Sequence, residues 1–227
     1  MMKVIAINSS PSGNAGTTAM ILNPFLKGLK EAGADVVTYY TNDLDIKPCC
    51  GQFICSIKNI ECVKKDDMTK IHSELFEADI WVFATPLYIS TMNGPMKTFM
   101  DRMLIPWGDT YTVLKDGRSH HPIKKKIDNG KVFLVSSCGY WEKENFNLLI
   151  ESVKEFSYHA EREYLGALLR PHAPMMNYLQ DPSKLEEISS AAFNAGIQLF
   201  QKKSIDLELL NKVSQPLVPM ENYVRTE

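Results

Sequence analysis

Long apolar runs are missing from this chain of 227 residues. None approaches the roughly 20 residues that a membrane-spanning helix needs. A large charge of one sign is missing as well: 25 lysines and arginines stand against 27 aspartates and glutamates, for a formal net charge of −2. The basic residues are dispersed, and the one basic knot, Lys124-Lys125-Lys126, lacks the breadth of a nucleic-acid surface. Cysteine is scarce, five in all, and most of it crowds between Cys49 and Cys62, too little and too local for a disulfide framework. That usage implies a reducing, cytoplasmic setting. The first apolar run opens at Lys3 and leaves no room for a signal peptide ahead of it. Internal repeats and low-complexity segments are lacking too.

What is present is an ordinary globular composition, 44% hydrophobic and 23% charged, suited to one domain over 1–227. Apolar runs that read as strands (3–8, 35–40, 79–85, 131–136 and 163–169) alternate with amphipathic stretches that read as helices (17–32, 66–77, 94–104, 144–160 and 182–202). Ile80-Trp81-Val82-Phe83-Ala84 and Val132-Phe133-Leu134-Val135 are apolar throughout, as in strands covered on both faces. The expected fold is therefore α/β, a doubly wound three-layer αβα sandwich around a five-stranded parallel sheet of order 2-1-3-4-5. Its core takes in about 1–203. Residues 105–130, with an alternating patch Thr110-Tyr111-Thr112-Val113-Leu114, read as a hairpin insertion, and 204–227 as a C-terminal tail.

In that topology the loops after strands 1, 3 and 4 converge at the carboxyl end of the sheet. The first loop reads Asn8-Ser9-Ser10-Pro11-Ser12-Gly13-Asn14-Ala15-Gly16-Thr17-Thr18 and leads into a helix. Its hydroxyls, small residues and helix N-terminus suit a bound phosphate. There is no glycine-rich loop closing on a lysine and no G-x-G-x-x-G, so a phosphate monoester such as that of FMN fits better than a di- or triphosphate. An ordinary capped strand–helix turn is the plainer alternative. The second loop, Thr85-Pro86-Leu87-Tyr88-Ile89-Ser90-Thr91-Met92-Asn93-Gly94-Pro95, should turn sharply at Pro86, offer Tyr88 to a flat ring, and cap the next helix with Asn93. The third, Ser136-Ser137-Cys138-Gly139-Tyr140-Trp141, is small at first, then aromatic, so its backbone can approach a ligand edge and Tyr140 and Trp141 can wall it.

Taken together, Ser-Pro-x-Gly-x-x-x-Thr-Thr, Ile46-Lys47-Pro48-Cys49, Asp66-Asp67-Met68, Ala78-Asp79, Thr85-Pro86-Leu87-Tyr88 and Met96-Lys97-x-x-x-Asp101-Arg102 resemble the flavodoxin-like NADPH-dependent FMN reductase and iron–sulfur flavoprotein family over roughly residues 1–170. The resemblance implies that Ser10, Ser12, Asn14, Gly16, Thr17 and Thr18 surround the FMN phosphate. Pro86, Leu87, Tyr88 and Ile89 would lie against the isoalloxazine, with Ser137, Cys138 and Gly139 along its pyrimidine edge. Ser9 stands where the family usually has glycine and Thr17 where asparagine is usual; both replacements are small and polar. The implied activity is an FMN-dependent oxidoreductase that takes hydride from NAD(P)H and passes electrons to a second acceptor such as a flavin or quinone. Its chemistry resides in the flavin, so no catalytic side chain is expected. The alternative is a flavodoxin-like or iron–sulfur flavoprotein electron carrier.

Cluster-binding relatives carry C-x2-C-x2-C followed by a fourth cysteine. Here the run is Cys49-Cys50-Gly51-Gln52-Phe53-Ile54-Cys55, then Cys62, with Gln52 at the second ligand position. No iron–sulfur cluster and no other metal site is therefore expected. His120-His121 reads as a solvated pair, and Asp101-Arg102 as an ion pair at a buried or intersubunit surface. The apolar residues of the insertion (Trp107, Tyr111, Val113, Leu114) and of the tail (Leu217, Val218, Met220, Tyr223) favour a homo-oligomer, a dimer or tetramer, that buries them.

Overall fold

Strand runs that are apolar on both faces pair side by side in the computed structural model of the chain. It describes every residue except 59–60, 105–106, 109, 125–129, 180 and 225–227, and all described side chains but that of residue 56. In chain order the elements are β1 (Lys3–Asn8), α1 (Thr17–Glu31), β2 (Asp35–Tyr40), α2 (Ile54–Ile57), α3 (Met68–Glu77), β3 (Ile80–Tyr88), β4 (Thr91–Met92), α4 (Gly94–Asp101), β5 (Thr112–Val113), β6 (Ser119–His120), β7 (Lys131–Ser137), α5 (Asn147–His159), β8 (Glu163–Arg170), α6 (Ser183–Lys202) and α7 (Leu207–Ser214). The sheet order is β2-β1-β3-β7-β8, every pair parallel. Numbered among themselves, the five long strands thus run 2-1-3-4-5, as expected. A short sixth strand, β4, pairs antiparallel with the end of β3.

Alternate residues of the central strands feed two separate cores. Ile7, Trp81, Phe83 and Leu134 pack with Met68, Leu75, Phe99 and Val153 in the layer of α3, α4 and α5. Val4, Ala6, Val82, Phe133 and Val135 pack with Leu22, Phe25, Ala195 and Leu199 in the layer of α1 and α6. This double coverage is what continuous apolar strands require. The helices α1 and α6 meet backbone to backbone. A Cβ on Gly28 would come 2.0 Å from the Phe193 carbonyl oxygen, and one on Gly196 would come 2.1 Å from that of Phe25.

Several boundaries differ from expectation, each for a local reason. β3 does not turn at Pro86 but continues to Tyr88, and the reversal falls at Ile89 and Ser90, both at positive φ (46° and 66°). Ala84 and Pro86 face the same edge of β3. The Ala84 carbonyl still accepts from Ser9 N at 2.8 Å, but β1 has ended by Pro86, so the missing N–H costs no ladder bond. The expected helix 94–104 closes at Asp101 and tightens into a 3₁₀ turn, Arg102–Leu104. The insertion does form a hairpin, β5 with β6; Lys125 and Lys126 of the basic knot lie outside the described residues. The tail contains a helix, α7, that was not anticipated. Val213 and Leu217 are buried within the same chain, while Met220 and Val224 stay exposed.

Candidate functional site

Buried Asn8, the last residue of β1, shapes the first loop from within. Its Oδ1 accepts from Ser10 N at 2.9 Å, and its Nδ2 donates to the Gly13 carbonyl at 3.3 Å. Asn42, beyond β2, donates to the Ser10 carbonyl at 3.3 Å. The chain then makes a 3₁₀ turn, Gly13–Ala15, and enters α1 through Gly16. Gly16 caps without a side chain, so no side-chain oxygen of the cap occupies the amides of the first turn. A Cβ there would lie 2.6 Å from Ser10 Oγ and 3.1 Å from Ser12 Cβ. The loop is a cradle that even a methyl group would crowd.

The second and third loops are tied to the first through buried hydroxyls and one amide. Thr18 Oγ1 lies 2.7 Å from Ser137 Oγ, and Thr17 Oγ1 lies 3.4 Å from it. Asn93 caps α4 by accepting from Met96 N at 3.2 Å, as its position suggested, and donates to the Ser9 carbonyl at 2.6 Å. Ser136 Oγ donates to the Thr85 carbonyl at 2.7 Å. Cys138 N donates to the Arg170 carbonyl at 3.0 Å, and Ala173 N to the Cys138 carbonyl at 2.8 Å. Burial pushes the Cys138 thiol up to about 11, so it stays protonated and adds no charge to the site.

The result is a cavity of about 280 Å³ at the carboxyl ends of β1, β3 and β7. Ser10, Ser12, Gly16, Thr17, Thr18, Pro86, Leu87, Tyr88, Ser137, Cys138 and Gly139 line it, together with Pro11, Ala15, Pro174 and Asn177. Tyr88 is 51% exposed at its rim, an accessible aromatic face. Four expected residues stand outside the lining: Asn14 and Ile89, and the expected wall residues Tyr140 and Trp141. Asn14 Oδ1 accepts from Asn23 Nδ2 at 2.8 Å and from Tyr40 Oη at 3.3 Å, on the outer side of the loop. Ile89 sits at the positive-φ tip between β3 and β4 and is 92% exposed. Pro174 and Asn177 belong to a 3₁₀ turn after β8, Ala173–Asn177. The cluster Pro171-His172-Ala173-Pro174 behind the fifth strand was the available signal for a fourth converging loop.

Trp141 is not a wall of the cavity. It stacks on His172, centroids 5.7 Å apart, and His172 is in turn approached by Tyr223 of the tail. Tyr223 Oη also donates to the Gly139 carbonyl. Arg170 anchors this strap: its guanidinium donates to the carbonyls of Val213 (2.7 Å) and Gln215 (2.6 Å) at the C-terminal end of α7, where the helix dipole favours a cation.

The cysteine segment is held apart from the cavity. Arg102 is engaged not by Asp101, which pairs with Lys97 at 2.6 Å, but by Asp66, at 2.5 and 3.0 Å. The same guanidinium donates to the Lys47 carbonyl at 2.7 Å and reaches Cys62 Sγ at 3.5 Å. Burial opposes ionisation of Asp66. The Arg102 guanidinium and the amides of Lys47 and Met68 prevail and hold its carboxyl below the usual range. Cys49, Cys50, Cys55 and Cys62 line one small cavity of about 30 Å³ with Gln52. Among the described residues no three His, Cys, Asp or Glu side chains are grouped to hold a metal ion.

A sequence profile of the NADPH-dependent FMN reductases matches residues 2–167. The chain belongs to that family. Among curated relatives, an iron–sulfur flavoprotein of Archaeoglobus fulgidus is 35% identical over 138 residues, 61% of this chain and 56% of the relative. One of Methanocaldococcus jannaschii is 36% identical over 101 residues, 44% of this chain and 50% of the relative. The chain therefore spans about half the length of the curated relatives it matches. Solved structures agree on the fold. An FMN-dependent NADH-azoreductase from Bacillus anthracis in complex with FMN superposes with a TM-score of 0.63 at 14% identity, covering 90% of this chain and 100% of that one. An NAD(P)H:quinone oxidoreductase from Methanothermobacter marburgensis gives 0.57 at 19% identity, covering 87% and 96%. No described helix is long and apolar enough to cross a membrane.

Proposed function

We propose that this chain binds FMN in the 280 Å³ cavity and works as an NAD(P)H-dependent oxidoreductase that hands electrons to a small-molecule acceptor. The observation that carries the reading is the cradle around Gly16. Ser10, Ser12, Thr17 and Thr18 surround a helix N-terminus left open by a glycine cap, at the switch point of a doubly wound sheet. These residues hold the phosphate as a monoester with hydroxyls and amides; among the described residues no lysine or arginine lines the cavity. Pro86, Leu87 and Tyr88 support the flat ring, Tyr88 from the open side. Ser137 to Gly139 present backbone groups to the ring edge, and the protonated Cys138 keeps that edge free of anionic charge. Bound flavin supplies the redox chemistry, accepting hydride from a nicotinamide and releasing electrons to a second substrate. The chain's own work is to grip, orient and leave one face open.

The same reading takes the chain as a single cytoplasmic domain that assembles into a homo-oligomer, with the exposed Tyr111 and Val113 of the insertion near the subunit boundary. The test is direct. Protein purified and denatured should release FMN rather than FAD, and its visible bands should bleach on addition of NADH or NADPH under anaerobic conditions. Recovery of FAD alone, or no bleaching with either nucleotide, overturns the reading. The competing reading, an iron–sulfur flavoprotein electron carrier, draws on the names of the curated relatives and on the four cysteines lining one cavity. It requires stoichiometric iron in anaerobically purified protein, whereas the reductase reading requires none.

A further inference from the structure

The loop after β7 has its carbonyls engaged by the protein and its amides left over. The Cys138 carbonyl accepts from Ala173 N at 2.8 Å, and the Tyr140 carbonyl accepts from His172 N at 2.6 Å. Between them, the Gly139 carbonyl accepts from the phenol of Tyr223 on the tail. The N–H groups of Gly139 and Tyr140 have no hydrogen-bond partner among the described residues. In a trans peptide the N–H points away from the carbonyl of the same unit. The Cys138 carbonyl faces the turn after β8 and the Gly139 carbonyl faces the tail, so both amides face the other way. Gly139 lines the candidate flavin cavity, whereas Ala173, His172 and Tyr223 do not, and the side they leave is the cavity side. The approach there is clear: beyond its chain neighbours, a Cβ on Gly139 would meet nothing within 4 Å.

Tyr223 is braced to keep this contact. Its ring lies against His172, centroids 5.7 Å apart, and His172 stacks on Trp141. The tail is tied down ahead of the phenol, where Leu217 N donates to His172 Nε2 at 3.0 Å and the Leu217 carbonyl accepts from Lys184 at 2.9 Å. Burial raises the Tyr223 pKa, so the hydroxyl keeps the proton it donates.

We propose that Tyr223 is a positioning residue for the flavin. By holding the Gly139 carbonyl on the tail side, it fixes the Gly139 and Tyr140 amides as a pair of donors to the pyrimidine edge of the ring. The inference rests on the FMN reading above. Hydride brings two electrons and one proton to bound flavin, so net negative charge develops along that edge. Preorganised donors aimed at developing charge stabilise the reduced ring more than the oxidised one. Among the described residues no charged side chain lines the cavity, which leaves backbone amides to meet that charge. The tail therefore raises the reduction potential from outside the cavity.

The experiment reads the midpoint potential of FMN bound to the full-length protein, by equilibration with a reference dye. Tyr223→Phe keeps the ring on His172 and removes only the hydroxyl. This variant should still bind FMN, but the reduced form should be weakened about tenfold more than the oxidised form, the scale of a hydrogen bond to a charged group. For a two-electron couple that lowers the midpoint by about 30 mV. Tyr223→Leu should lower it as much. Coupling is reciprocal, so FMN should slow amide hydrogen exchange in residues 217–224 of the wild type, and less so in Tyr223→Phe. An unchanged potential in FMN-loaded Tyr223→Phe overturns the proposal, because a merely structural brace would weaken both redox forms alike. A drop confined to Tyr223→Leu assigns the effect to ring packing on His172 and overturns it too, as does tail exchange that ignores FMN. These outcomes leave the FMN reading standing. Wild-type protein that takes up no FMN fails at the first step and removes both.

Discussion

Thr18 Oγ1 and Ser137 Oγ lie 2.7 Å apart in a buried hydrogen bond between the first turn of α1 and the end of β7. The two residues are 119 positions apart in the chain. Both line the candidate flavin cavity, so the bond sets the gap between the loop that would hold the phosphate and the loop that would edge the ring. One short contact thus couples two halves of the site.

Thr18→Val keeps the shape of the side chain and removes the hydroxyl. FMN affinity, measured by fluorescence titration of apoprotein, should fall about tenfold, since the buried Ser137 hydroxyl keeps only its longer contact with Thr17 Oγ1, at 3.4 Å. Ser137→Ala should cost a similar factor. The double variant should be better than the product of the two, because each single change takes from the other hydroxyl its closest partner. Strict additivity would show that the two hydroxyls act separately.

Gly16 has φ of −81°, open to any residue, so only space forbids a side chain there. Gly16→Ala must displace Ser10 Oγ or shift the loop, given the 2.6 Å approach of a Cβ. We expect at least a tenfold loss of FMN affinity with the far-ultraviolet circular dichroism and melting temperature nearly unchanged. Wild-type affinity in this variant would remove the cradle from the argument for the site.

Much of this was legible in the chain itself, and the gaps have identifiable causes. Runs such as Val132 to Val135 read as doubly covered strands because every residue is apolar, and they are buried on both faces. The sheet order and the convergence of Ser10, Thr18, Tyr88 and Ser137 follow from that alternation plus the rules of right-handed crossover. Pro86 misled, because local pattern does not show that β1 ends at Asn8 and frees that edge of β3. Helix α7 was hidden by the nearby Pro216 and Pro219, although Leu210 and Val213 have helical spacing. The burial of Val213 and Leu217 inside their own chain also weakens the case for a second subunit covering the tail. Arg102 was paired with its neighbour in sequence, whereas tertiary packing brings it to Asp66.

Acid should loosen the tail strap. His172 Nε2 accepts from Leu217 N at 3.0 Å and lies 3.2 Å from Arg170 Nη2, so the neutral ring carries its proton on Nδ1. Burial, then the Arg170 charge, pushes His172 down to about 4 from 6.5. Between those values the unfolded chain binds more protons than the folded one, so stability must fall as pH drops from 6.5 towards 4. The full effect is about 3 kcal/mol, at 1.36 kcal/mol per pKa unit. His72, also lowered chiefly by burial, acts in the same direction. Urea unfolding at pH 7, 6 and 5 should show the slope, and His172→Gln, which retains an acceptor for Leu217, should reduce it. An unchanged slope in that variant would place the acid sensitivity elsewhere.

Arg102 and Asp66 form a bidentate ion pair with side chains 1% and 0% exposed, and the same guanidinium holds the Lys47 carbonyl and touches Cys62. The pair therefore pins both ends of the cysteine segment to the start of α3 and the end of α4. Arg102→Gln leaves the Asp66 carboxylate buried with only the amides of Lys47 and Met68. Breaking one partner of a buried pair costs about 3–5 kcal/mol, and a loss of that order should appear in chemical denaturation. The loop should loosen before the sheet does, since this pair ties both of its ends. Alkylation by iodoacetamide, read by mass spectrometry under native conditions, should then accelerate at Cys62 but not at Cys49 or Cys50, which are already exposed. Equal acceleration at all three would point to global unfolding, and no acceleration at Cys62 would mean that the pair stabilises α4 without anchoring the segment.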